Sequence, residues 1–75
     1  MTEDFRRACI AVEGAGRGAM RTKNGDVVAG RYFDYESEWD DPAGDGYISF
    51  EGGDGSVRDV YASEFAELIE PKEPR

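Results

Sequence analysis

The chain has 75 residues, 39% of them hydrophobic and 35% charged, with a formal net charge of −8. That is the size of one small domain near the lower limit for a self-sufficient core, and four Phe, four Tyr and one Trp argue against disorder throughout. A single cysteine excludes an internal disulfide and suits a reducing compartment, while the absence of histidine removes the usual general base and the commonest zinc ligand.

Residues 1–7 are polar and read as a frayed end or one helical turn. Residues 8–12, ACIAV, are apolar with β-branched content and read as a strand, although the stretch 3–12 admits a helix as well. Cys9 in this run reads as a small buried hydrophobe rather than a nucleophile. EGAGRGA follows as a glycine-rich turn or bulge. It has neither dinucleotide-binding spacing nor a phosphate-loop lysine. Asn24-Gly25 between strand-like runs predicts a hairpin with a type I′ turn. Residues 27–39 read as one long strand, with Gly30 as a bend or bulge of the kind small barrels need.

Residues 41–46 are a loop by turn chemistry, and residues 47–50 a strand. DPAGDGYISFE, 41–51, is superficially similar to a calcium loop. Ala43 stands where a ligand is needed, and Gly52 where the closing glutamate belongs, so no metal is expected. Gly52, Gly53 and Gly55 turn the chain into a strand at 57–61. Residues 62–65 read as one helical turn. Residues 66–69 extend that turn or close the sheet, and Pro71 stops them. Short strands at this spacing predict an all-β fold, a small barrel of about five strands with one short helical turn. Residues 1–70 form a single expected domain and 71–75 a solvated tail. No apolar run has the length of a signal peptide core or a membrane span.

Lys23, Asn24, Gly25, Gly30 and Tyr32 are similar to the opening of the first Sm motif. YISF, a glycine turn, VRDVY and a helical turn before AELIE complete a pattern that resembles an SH3-like or Sm-like barrel. Asp34 departs from the Sm pattern and the Arg-Gly pair of the second motif is missing, so Sm RNA-binding residues do not carry over. In character the chain is similar to the small acidic Rho-inhibitor family and to phage anti-CRISPR inhibitors. That resemblance implies a cytoplasmic, bacterial or phage-encoded protein that blocks a nucleic-acid-binding surface.

The charge is uneven. Residues 1–31 carry a net of +2, residues 32–57 a net of −8 with no base at all, and residues 58–75 a net of −2. FDYESEWD, 33–40, alternates aromatic and acidic residues. If extended, it puts Asp34, Glu36, Glu38 and Asp40 on one face, about 6.7 Å apart, with Phe33, Tyr35 and Trp39 on the other. An ordinary half-buried strand explains the alternation but not why every polar position save Ser37 is acidic, since like charges on one face repel. The spacing is of the same order as phosphates along a nucleic-acid strand.

The expected function is therefore a non-enzymatic acidic binding protein without cofactors, engaging a basic protein surface and binding neither nucleic acid nor membrane directly. Asp34, Glu36, Glu38, Asp40, Asp41 and Asp45 would steer and mimic phosphate, and Tyr35 and Trp39 would anchor. Two alternatives stand beside it, apart from a barrel that binds RNA or DNA directly through Arg6, Arg7, Arg17, Arg21, Lys23 and Arg31 against the net charge of −8. One is a structural or adaptor barrel whose acids serve only solubility. The other is an aromatic cage of Tyr32, Phe33, Tyr35, Trp39 and Tyr47 for a methylated cation.

Overall fold

A computed structural model describes residues 3–37 and 45–72. The element order is α1 (Glu3–Ala15), β1 (Arg17–Thr22), β2 (Val27–Glu36), β3 (Tyr47–Glu51), β4 (Val57–Tyr61), a 3₁₀ turn (Ala62–Glu64) and β5 (Phe65–Glu70). The strands form one antiparallel sheet in the order β4-β3-β2-β1-β5, curled into a half-barrel. The small all-β barrel-like fold expected from turn spacing is the fold observed.

The first element is a correction. Residues 8–12 are helical, inside a helix of 13 residues, and not a strand. Phe5, Ala8, Cys9 and Val12 are its buried residues, at the i, i+3, i+4, i+7 spacing of one helical stripe. Within ACIAV alone that stripe cannot be told from a strand. Phe5 has to be included before the 3.6-residue period shows. Glu3 and Asp4 in the first turn favour the positive end of the helix dipole. Gly16 closes the helix, its amide bonding to Val12 O at 2.8 Å.

The helix stripe covers the hollow of the sheet. Phe5 meets Phe65 of β5 edge-on, with ring centroids 5.2 Å apart. Met20, Val28, Ile48, Phe50 and Val60 fill the hollow from β1 to β4. Cys9 is fully buried, and burial, with Glu13 nearby, pushes its thiol up to about 12. It behaves as a core hydrophobe.

The two short hairpins use one design. In residues 22–26, Thr22 N–H bonds to Asp26 O (2.8 Å) and Gly25 N–H to Thr22 O (2.9 Å). In residues 52–56, Gly52 N–H bonds to Ser56 O (2.8 Å) and Gly55 N–H to Gly52 O (3.0 Å). Gly25 and Gly55 have φ of 93° and 85°, and Asn24 and Asp54 accept from the backbone two residues on. These are three-residue loops ending in a left-handed glycine, and not the expected type I′ turn. Asn24 does not have positive φ, so only one residue adopts the strained region. Ser56 hydroxyl and amide hydrogen bonds hold the Asp54 carboxyl below its ordinary value.

Gly30 sits inside β2 in a conformation that favours glycine. Its φ is 155°, and a Cβ there would lie 2.3 Å from Glu51 O on β3. The strand is shorter than predicted, ending at Glu36, and it is not continuous. The register with β3 shifts between Tyr32 and Asp34, so Phe33 is a bulge. The 3₁₀ turn falls where a helical turn was expected, and β5 resolves the ambiguity at 66–69 in favour of a closing strand.

Candidate binding face

The cross-strand register builds a three-by-three grid on the outer face of β2, β3 and β4. One row is Arg31, Glu51 and Val57. The middle row is Asp34 with Phe33, then Ser49 and Asp59. The last row is Glu36, Tyr47 and Tyr61. The alternation Val57, Asp59, Tyr61 against the buried Val60 puts the β4 residues on this face.

The bulge decides what the face exposes. Tyr32 and Tyr35 both pack against the core although they are three positions apart. In a strand of period two that is possible only with an extra residue between them. The cost falls on Phe33, which is 57% exposed beside Asp34. Simple alternation predicted Phe33 inside with Tyr35, and that expectation is overturned. The expected aromatic cage does not assemble either, since Tyr32 and Tyr35 lie on the core side and Tyr47 on the outer face with Tyr61, ring centroids 5.5 Å apart.

The acids on this face have hydroxyl partners. The Tyr47 hydroxyl donates to the Glu36 carboxylate and lies 3.5 Å from Asp34 Oδ2. Ser49, 3% exposed, donates its hydroxyl to Asp59 Oδ1. Asp34 Oδ1 also accepts the Tyr35 amide at 2.9 Å. Among the described residues the ion pairs are Arg21–Glu67, Arg31–Glu51 and Arg58–Asp26, none of which involves Asp34, Glu36 or Asp59. By sheet geometry the β2 and β4 acids are about 10 Å apart, two strand spacings. Among the described residues Asp34, Glu36 and Asp59 form a triangle of charge.

The hydrogen bond to Glu36, with nearby Asp34 and Asp59, pushes the Tyr47 hydroxyl from 10.0 up to about 12. Ultraviolet titration is therefore expected to find Tyr47 still protonated well above 10.0, and Glu36→Gln should bring it down. An unchanged titration in that variant would place the Tyr47 proton elsewhere.

Asp45 has a structural task. Its carboxylate accepts Ser63 N–H (3.2 Å) and Ser63 Oγ (2.8 Å), fastening the β3 approach to the 3₁₀ turn. Glu38, Trp39, Asp40 and Asp41, also expected at the site, lie outside the described residues. Of the expected residues the structure brings Asp34 and Glu36 together on one face. It adds Phe33 and Tyr47, named before only for the aromatic cage, and Asp59 and Tyr61, which were missed. Asp59 and Tyr61 were legible as outward positions of an alternating strand, but their place beside Asp34 depends on register.

Basic residues lie at the Arg31 end of this face and on the neighbouring β1. Arg17 pairs in register with Arg31, and Arg21 of β1 pairs with Glu67 of β5. A groove of about 570 Å³ between α1 and β5 sets Arg7 and Lys72 against Asp4 and Glu67 and has no net charge among these. Among the described residues no three acids or cysteines are grouped to hold a metal ion, and no helix is long and apolar enough to cross a membrane. Comparison with known protein families, curated proteins and solved structures finds no match to this chain.

Proposed function

We propose that the chain is a non-enzymatic acidic binding protein, and that its β2–β4 outer face engages and blocks a basic, nucleic-acid-binding surface on a partner protein. The observation that carries this reading is the exposed Phe33, held at a bulge beside Asp34 and among Glu36 and Asp59, none of them in an ion pair among the described residues. A bulge re-aims a side chain at the expense of ladder pairing. An exposed aromatic beside carboxylates combines an anchor with steering. The net charge of −8 repels nucleic acid itself and draws in the basic surfaces that bind it.

The test is affinity capture from a bacterial lysate with the native chain and with Asp34→Lys/Glu36→Lys/Asp59→Lys. The reading expects a nucleic-acid-binding protein held by the native bait, released by added nucleic acid and by salt, and absent from the variant. The same catch on both baits would end this assignment and move the interface off the acidic face.

A further inference from the structure

β4 is an edge strand, paired with β3 alone. The phase of its hydrogen bonds is fixed at both ends. Gly52 N–H reaches Ser56 O, and Ala62 N–H reaches Gly46 O, each at 2.8 Å. Antiparallel alternation then turns the amides and carbonyls of Arg58 and Val60 toward β3, and those of Val57, Asp59 and Tyr61 to the open edge. Glu64 Oε1 takes the Tyr61 amide at 2.9 Å. Among the described residues, the N–H and C=O of Val57 and Asp59 and the C=O of Tyr61 are left without a partner strand.

Such an edge invites another chain. The charge around it selects which one. Asp59 is on the strand, Asp54 is in the turn before it, and Glu64 is just after it. The one base on β4, Arg58, is paired with Asp26 at 3.3 Å. A second copy is disfavoured. Symmetric pairing about Asp59 would set Asp59 against Asp59, and the β5 edge of another copy would bring Glu67 and Glu70. A strand of opposite charge meets none of this repulsion. The outward-bonding residues are also the outward-facing ones. A residue hydrogen-bonded to Asp59 therefore sets its side chain beside the carboxylate, and its i±2 neighbours lie beside Val57 and Tyr61, 45% and 40% exposed.

We propose that β4 receives an extended segment of the partner as a sixth strand, with Lys or Arg opposite Asp59 and apolar residues two positions either side. This rests on the acidic-face reading and specifies the form in which the partner binds. Backbone bonds would supply the docking and the acid its choice of sequence.

The probe is a fluorescent peptide, Lys-Thr-Val-Thr-Lys-Thr-Val-Thr-Lys, beside the same peptide N-methylated at its central lysine. Val57→Pro is the informative variant. Val57 is the first residue of an edge strand with its amide directed outward, so proline there removes no bond to β3 and no acid. Unchanged circular dichroism would show that it folds. The expected result is binding at low salt with slowed amide exchange at Val57 and Asp59. Both the N-methyl peptide and the Val57→Pro chain should bind about tenfold or more weakly. If both bind like the originals, or if the peptide does not bind the native chain, strand addition is overturned. An Asp34→Asn/Glu36→Gln chain, with Asp59 left in place, that binds as the native one does would instead overturn the acidic-face reading beneath it.

Discussion

A Phe5→Ala chain is expected to lose about a quarter or more of its stability against unfolding. Phe5 is fully buried, begins the apolar stripe of α1, and locks that helix to β5 through Phe65. Truncating a buried Phe costs about 3–5 kcal/mol. A domain of this length has roughly 4–11 kcal/mol of stability in all, taking about 0.05–0.15 kcal/mol per residue. Urea unfolding followed by circular dichroism should show the midpoint falling by about a quarter or more at unchanged slope. Ile10 on the same helix is 59% exposed, and Ile10→Ala should stay within about 0.5 kcal/mol of the native chain. If the two variants were equally stable, the helix would not be docked by its stripe.

Gly30→Ala is the second large effect. Two independent costs meet at this residue. Its φ of 155° is one that side-chain-bearing residues rarely adopt, worth about 1–3 kcal/mol. Its Cβ would also enter the space of Glu51 O, 2.3 Å away, and that oxygen is backbone in a paired strand and cannot swing aside. A loss of about 3 kcal/mol or more follows, or a melting temperature lower by about 12–24 °C for a domain of this size. Gly53→Ala is the matched control. Nothing lies within 4 Å of its added Cβ and its φ is not positive, so its melting temperature should barely move. A small shift at Gly30 would mean that β2 and β3 do not approach so closely.

The sheet was largely legible because its punctuation is local. Asn24-Gly25, the glycines at 52–55, Gly30 and the 3₁₀ turn each announce themselves within a few residues. The helix was not legible from ACIAV because five apolar residues carry no period. The candidate face was half legible. Asp34 and Glu36 were named from the acidic run, yet FDYE alternates so regularly that nothing in it marks an inserted residue. The insertion follows from Tyr32 and Tyr35 both packing on the core, which is a demand of the assembled barrel and not of the strand. Asp59 and Tyr61 joined the face only through pairing with β3, and sequence spacing does not state register.

The repeated loop design has a consequence for how the chain folds. Residues 22–26 and 52–56 each bring adjacent strands together across three residues, so both hairpins can form on their own in about 1–10 μs. Joining β5 to β1 is different in kind. Arg21 and Glu67 are 46 positions apart, and the intervening chain must be ordered before that pairing returns any free energy. Substitutions that stiffen either hairpin should therefore leave the overall folding rate nearly unchanged. The slow step belongs to the last strand, whose arrival gives Phe65 to the waiting helix and closes the core.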